Sequence, residues 1–468
     1  MKLLVKDTIA AVSTPRGKGG VAMIRISGTD ALPLAEKVFF PKNGKKLSEC
    51  TARTALYGEI REKNENGESA AIDDGVAVIY RAPHSFTGED TVEICCHGGV
   101  LLTEKVLEAC FTAGCRPAEA GEFTKRAFIA GKMTLSQAES LGNLLEAKTE
   151  AQLMLSRGGM NGRLATEIGE IYEGLKNILA SVYAKIDFPD EDLASMSADE
   201  VKSAAENIKA RLKKLASTYR AGRAVREGIR TVICGAANAG KSSIYNRIVG
   251  REAAIVTDVE GTTRDVLEQT AALGRVTLLL CDTAGLRETN DKVEMIGIDR
   301  TKNAILTAEL VLAVFDLTRG ITAEDKALVA ELAKSGACKV AVLNKCDKKT
   351  ADEGVPSEIS ENFENVVTVS ALTGEGFDDL VRKVEELFDC GKTNLLSDAV
   401  IWDARRYSAV VRSTGCLEKA CEALEIGLPF DLASSDLEEA MELLGELDGR
   451  GVSEDIVTEI FSHFCVGK

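Results

Sequence analysis

The spacing of hydrophobic and polar positions changes several times along the chain. Up to about Lys132 the apolar residues come in short runs. Asp7-Thr8-Ile9-Ala10-Ala11-Val12 and Gly20-Val21-Ala22-Met23-Ile24-Arg25-Ile26 read as strands separated by the turn Ser13-Thr14-Pro15-Arg16-Gly17. Ala77 to Tyr80 and Val92 to Cys95 add two more, and Leu101 to Ala113 is apolar at helical spacing. These elements predict a small α+β domain over residues 1–132. From Met133 to about Arg226 the period is helical: Leu164, Ile168, Ile171, Leu175, Ile178, Val182 and Ile186 recur every three or four residues. Phe188-Pro189-Asp190 stops that helix, because proline cannot continue it. Over residues 227–390 the apolar runs Val232 to Cys234, Val276 to Cys281, Val340 to Leu343 and Val366 to Val369 each end in a polar loop. Helical spacing returns in residues 391–468, with an acidic surface around Glu438 to Asp455. The helical stretches 133–226 and 391–468 are expected to pack as one domain, with residues 227–390 inserted between them.

The loops that end those runs carry the chemistry. Gly235, four residues, then Gly240-Lys241-Ser242 has the spacing of a phosphate loop between strand and helix. Its glycines let backbone N–H groups face phosphate oxygens, helped by the positive end of the following helix. Lys241 reaches the β and γ oxygens, Ser242 ligates magnesium, and Asn238, Ala239, Gly240 and Ser243 complete the loop. Asp282-Thr283-Ala284-Gly285 follows the second run: Asp282 would meet magnesium through water and Gly285 the γ-phosphate. Asn344-Lys345-Cys346-Asp347 follows the third, and the Asp347 carboxylate can accept two donors from a guanine edge, which adenine does not offer. Ser370-Ala371-Leu372 follows the fourth and supplies a backbone N–H for the guanine oxygen. Motifs in this order, each at a strand end, predict a Ras-like P-loop GTPase domain and argue against an ATPase or kinase. The fold class expected is multidomain α/β and α: an N-terminal α+β domain, a helical domain and the inserted G domain.

Composition narrows the surroundings. The chain has 468 residues, a net charge of −16 and a pI near 5.0, so any RNA contact must use a local patch rather than a general basic coat. The run Arg211, Lys213, Lys214, Arg220, Arg223, Arg226 and Arg230 is one such stretch, read by default as a solvated helix face. No apolar run approaches the roughly 18 residues of a membrane span and no leader opens the chain, so a cytoplasmic location without membrane contact is expected. Thirteen cysteines without a CxxC pair indicate neither a disulfide framework nor a structural zinc site. Cys95-Cys96 reads as strand packing, and His84 and His97 as loop and packing residues without ligand-spaced company.

One omission shapes the reaction. Where GTPases of the Ras kind place a water-orienting glutamine after this motif, the chain has Leu286. An apolar side chain cannot orient water, so hydrolysis needs another group, and Glu288, Asp291, Glu294 and Asp299 are the candidates downstream. Transition-state charge also needs neutralising, and no arginine finger is identifiable. A fixed monovalent cation could do this, held by Asn238 and by carbonyl oxygens of the loop before Gly261-Thr262-Thr263-Arg264-Asp265.

Together, TPRGKGGVAMIRISG, the PHSFTGED loop, AGEFTKRAFIAGK, FPDED, GTTRD, DTAGLRET and the terminal FSHFCVGK resemble the MnmE (TrmE) family of bacterial and organellar tRNA-modification GTPases over the full length. The resemblance implies an N-terminal folate-binding and dimerisation domain and a helical domain interrupted by the G domain. By position, it implies a potassium-binding Asn238 and a potassium and nucleotide loop that includes Thr257, Asp258, Val259, Gly261 and Thr262. It also implies a magnesium-binding Thr263 and a catalytic Glu294 that helps position water. The folate contacts, for 5-formyl- or methylene-tetrahydrofolate, fall on Arg25, Glu93, Lys132 and Lys468, and the C-terminal cysteine is Cys465, either chemical or a small packing residue. Ala237, Cys96 and Ala130 stand where the family carries proline, glycine and asparagine, and none of them removes a ligand. The implied assembly is a homodimer working with an FAD-containing MnmG (GidA)-type protein. The implied reaction installs an aminomethyl or carboxymethylaminomethyl group at carbon five of the wobble uridine of certain tRNAs. A ribosome-assembly GTPase shares the nucleotide motifs, but would need a basic RNA-binding appendage that the acidic C-terminal helices do not offer. A non-catalytic GTP switch would differ by its negligible turnover.

Overall fold

The computed structural model describes residues 7–63, 69–187, 196–251, 268–281, 304–348, 355–448 and 454–468. The chain divides into two compact units, Met1–Gly142 with Asp448–Lys468, and Asn143–Leu447. The last twenty or so residues therefore group with the N-terminal unit, whereas helical spacing alone had placed them in residues 391–468 with the helices before them.

The first unit is built on a seven-stranded sheet of order β3-β4-β5-β6-β2-β1-β7. Its strands are β1 (Ile9–Val12), β2 (Val21–Ser27), β3 (Phe39–Pro41), β4 (Ala55–Lys63), β5 (Ser69–Tyr80), β6 (Thr91–His97) and β7 (Arg116–Pro117). β2 alternates faces. Ala22, Ile24 and Ile26 turn into a core with Val92, Ile94 and Cys96 of β6 and Val106 and Cys110 of a helix, α2 (Val100–Ala113), whereas α1 (Ala31–Ala35) closes one side. The β2–β6 register sets Arg25 opposite Glu93, so the alternation that buries the isoleucines also pairs these charges on the other face. The Cys95-Cys96 pair is strand packing as expected: Cys96 is buried, and burial pushes its thiol up to about 11.

Two more helices, α3 (Glu122–Ile129) and α4 (Leu135–Glu146), follow β7. The C-terminal helix α15 (Glu454–Ser462; α5 to α14 are introduced below) packs here, with Phe461 against Phe128 at 6.2 Å and against Phe464 at 5.4 Å. Gly121, at φ +64°, lies so close that a Cβ would sit 2.6 Å from the Phe461 carbonyl. Beyond α15 the chain forms a bridge from Val466 to Ala120, and Ser13 Oγ donates to the Gly467 carbonyl at 3.0 Å. The terminal residues thus end beside β1 and β2.

In the second unit α5 (Glu150–Met160), α6 (Arg163–Asp187), α7 (Ala198–Ser217) and α8 (Tyr219–Arg226) precede a six-stranded sheet of order β13-β12-β11-β8-β10-β9. Its strands are β8 (Ile229–Gly235), β9 (Glu268–Leu273), β10 (Val276–Cys281), β11 (Leu310–Asp316), β12 (Cys338–Asn344) and β13 (Val366–Thr368). All pairings are parallel except β9 with β10. The helices flanking this sheet are α9 (Lys241–Arg251), α10 (Ala323–Leu332), α11 (Ser357–Ser360) and α12 (Phe377–Leu387). The predicted stripe of α6 is buried from Leu164 to Val182, and it shares one core with α7, with α13 (Ala404–Glu425) and with α14 (Phe430–Asp448). Helices before and after the sheet in sequence therefore pack together. α6 ends at Asp187; the proline expected to stop it lies outside the described residues.

Part of the basic run pairs with carboxylates, and Lys213, Lys214 and Arg220 stay exposed, as a solvated helix face does. Arg211 pairs with Glu167 at 2.9 Å and Glu170 at 2.7 Å, Lys213 with Glu418 at 2.7 Å, and Arg223 with Glu309. Among the described residues no helix is long and apolar enough to cross a membrane.

Candidate functional site

The parallel strands β8, β11 and β12 deliver their loops to one edge, where open α/β sheets bind ligands. Gly235 ends β8 against Val314 of β11, where a Cβ would fall 2.3 Å from the Val314 carbonyl. Asn238, at φ 58°, and Gly240, at φ 100°, turn the backbone into the left-handed region. Here Gly240 has no alternative, because a Cβ would meet Asn344 Nδ2 at 2.1 Å. Lys241 opens α9, and its ammonium donates to the carbonyls of Gly235 at 3.0 Å and Ala236 at 2.9 Å. Burial lowers its pKa. Ala239 is buried, whereas Asn238, Ser242 and Ser243 are exposed on the open side of the loop.

The residues expected to read the base meet this loop directly. Asn344, 2% exposed, donates from Nδ2 to the Ala239 carbonyl at 3.0 Å and accepts the Ala371 N–H on Oδ1 at 3.0 Å. Lys345 donates to the Asn238 carbonyl at 2.8 Å and to Asp316 Oδ2 at 2.6 Å. Ser370 Oγ donates to Asp347 Oδ1 at 2.5 Å, and Leu372 stays exposed beside it. The structure therefore assembles Asn238 to Ser243, Asn344, Lys345, Asp347 and Ser370 to Leu372 into one site. Sequence reasoning missed Asp316, whose position at the end of an apolar strand facing the same edge was the available signal.

The remaining nucleotide and metal assignments, Thr257, Asp258, Val259, Gly261, Thr262, Thr263, Asp282, Thr283, Ala284, Gly285 and Glu294, lie outside the described residues.

The N-terminal unit holds a second constellation. Arg25 Nε donates to Glu93 Oε1 at 2.9 Å, and its guanidinium lies 5.2 Å from the Phe86 ring centre and 5.5 Å from that of Phe123. Lys468 is half-buried; burial, with Arg25 nearby, lowers its pKa against the pull of Glu93. Lys132 donates to the Pro83 carbonyl at 2.8 Å, anchoring the loop that carries Phe86. Cys465 is exposed. Among the described residues, Arg25 Nη1 is buried without a hydrogen-bond partner, an orphaned donor that fits a polar ligand. His97 is exposed rather than packed, and it faces a carboxylate. His97 Nδ1 lies 2.8 Å from Asp73 Oδ1 across the β5–β6 end, and that hydrogen bond raises its pKa. No cluster of three or more metal-binding side chains occurs among the described residues.

A phosphate loop joined through Asn344 and Lys345 to a carboxylate-bearing base loop defines a guanine-nucleotide-binding protein of the P-loop class. Two family descriptions match the chain: the MnmE helical domain over residues 135–465 and the GTP-binding protein TrmE N-terminus over residues 8–132. The tRNA modification GTPase MnmE of Symbiobacterium thermophilum is 41% identical over 466 residues, covering 99% of this chain and all of the relative. That of Clostridioides difficile is 38% identical over 468 residues, covering both chains completely. The chain belongs to the MnmE family of tRNA modification GTPases.

Proposed function

We propose that this protein is a potassium-dependent GTPase that, with an FAD-containing MnmG-type partner, builds the 5-carboxymethylaminomethyl or aminomethyl group on the wobble uridine of certain tRNAs. The observation that carries the reading is the single site formed by Lys241, Asn344, Asp347 and Ser370 in a chain matched over its whole length by tRNA modification GTPases. In this reading the loop amides and Lys241 take the phosphates, exchanging the Gly235 and Ala236 carbonyls for phosphate oxygens. Asp347 and the Ala371 amide read the base. Ser242 and Thr263 would hold magnesium, and Asn238 with Thr257, Val259 and Thr262 would hold potassium, supplying positive charge to the developing phosphoryl charge. Glu294 would position water where Leu286 cannot.

The same reading makes the protein a homodimer whose helical domain is interrupted by the G domain and transmits its cycle. Supporting this, α5 and α8 share one core with the G sheet, and Thr277 Oγ1 of β10 donates to the Val225 carbonyl of α8 at 2.7 Å. Arg25, Glu93, Lys132 and Lys468 would hold the folate, which supplies the one-carbon unit when bound. The protein would act in the cytoplasm.

Nucleoside mass spectrometry of tRNA from cells lacking the protein tests this. The carbon-five modification should vanish, return with the wild type and stay absent with Glu294→Ala. An unchanged nucleoside profile would instead favour a role in ribosome assembly. Hydrolysis by the full chain should also be about tenfold or more faster in potassium chloride than in sodium chloride at equal ionic strength. Equal rates would remove the cation from the mechanism.

A further inference from the structure

We propose that Arg247 is a positioning residue for base selection, tying the phosphate-loop helix to the loop that reads guanine; this rests on the reading of residues 344–347 and 370–372 as the guanine site. Arg247 lies on α9, six residues after Lys241. Its guanidinium donates to three successive carbonyls of the recognition loop: from Nη1 to Ala371 and Leu372 at 3.2 Å each, and from Nη2 to Thr373 at 3.0 Å. The Phe377 ring, fully buried, lies beneath it at 5.4 Å. Gly374, at φ +91°, is the residue that permits this approach, since a Cβ there would sit 1.8 Å from Arg247 Nη2.

Within the loop the bonds are short-range. Thr373 N–H donates to Ser370 Oγ at 3.1 Å, and Gly374 N–H to the Ser370 carbonyl at 2.8 Å. These fix the turn's shape but not its place. Its place is set by Asn344 Oδ1, which takes the Ala371 amide, by Asp347, which takes the Ser370 hydroxyl, and by Arg247, which takes the carbonyls of the next three peptides. A rigid planar fork with several donors suits this task, and lysine cannot reproduce it in full. Arg247 therefore holds the Ala371 peptide where its N–H, now donating to Asn344 Oδ1, can exchange that partner for the oxygen of an incoming base, while Asp347 reads the base's N–H donors independently.

The experiment is steady-state hydrolysis of GTP, ITP and ATP by the full-length wild type, Arg247→Ala and Arg247→Lys. GTP and ITP share the base oxygen and differ only in the exocyclic amine. Loss of Arg247 should raise KM for both by the same factor, about 10- to 100-fold, with kcat within twofold of wild type. The preference for GTP over ATP should narrow by a similar factor, and Arg247→Lys should recover part of both. A general loss of structure would lower kcat for every nucleotide instead. An unchanged GTP-over-ATP preference, or a fall in kcat at constant KM, would overturn the proposal. Should Arg247→Ala fail to fold, Arg247→Lys carries the same comparison with a smaller shift. A wild type that did not prefer GTP to ATP would reject the guanine site itself, whatever the variants did.

Discussion

Asp347→Asn should change the base this protein accepts from guanine to xanthine. A guanine edge presents two donors, and the Asp347 carboxylate offers two acceptor oxygens that meet both. An amide at the same place keeps one acceptor and turns the other into a donor, which matches the carbonyl that xanthine carries where guanine has its amine. The substitution is close to isosteric, and the Ser370 hydroxyl that donates to Asp347 Oδ1 at 2.5 Å keeps an oxygen to donate to. Each charge-assisted hydrogen bond is worth roughly 1.5–3 kcal/mol, so GTP affinity should fall about 10²- to 10⁴-fold while XTP gains. Titrating the full-length variant with both nucleotides checks this. Parallel loss of GTP and XTP binding would mean that Asp347 supports the loop rather than reading the base.

The meeting of the phosphate loop with the loops at Asn344 and Ser370 was legible because these residues end apolar runs that form the sheet interior, and a parallel sheet brings such ends to one edge. Asn344 bonding to Ala239 follows from that geometry, with no need to know the helices. The second site was less legible, since what completes Arg25 comes from far away in the chain. Lys468 reaches it only because the terminal segment bridges to Ala120 and packs Phe461 on Phe128. Periodicity shows that α15 has an apolar face but not which surface that face covers. β4 escaped notice for a local reason. Its inward positions are Leu56, Gly58 and Ile60, and the middle one must be glycine, because a Cβ would lie 2.4 Å from the Phe40 carbonyl. The alternation is present in the structure and interrupted in the sequence. His97 and Asp73, 24 residues apart, meet only through strand pairing, and no ligand spacing could have shown it.

Arg126→Met should produce the largest loss of stability in the N-terminal unit. Arg126, 8% exposed, binds three carboxylates at once: Asp7 Oδ1 at 2.7 Å, Glu122 Oε1 at 2.8 Å and Glu89 Oε2 at 3.2 Å. Removing it leaves Glu122, itself largely buried, with Arg116 as its remaining cation at 2.5 Å. Breaking a buried pair by deleting one partner costs about 3–5 kcal/mol, and the surviving Arg116 contact points to the lower end. Hydrogen exchange in peptides from α3 of the full chain should report that loss, with the unit's thermal transition falling by roughly 6–12 °C. The same substitution should alter the response to acid. Burial by itself would raise the Asp7 and Glu122 carboxyls, but hydrogen bonds from Arg116 and Arg126 outweigh it and hold both below their ordinary range. Groups lowered on folding stabilise the protein above their unfolded pKa, about 4, and that contribution is lost as pH falls through the lowered folded values. Without Arg126 the folded values move back up, so acid unfolding of this unit should begin at higher pH than in the wild type. An acid midpoint and exchange pattern unchanged from the wild type would show that Arg116 alone holds these carboxylates and that the second guanidinium adds nothing to stability.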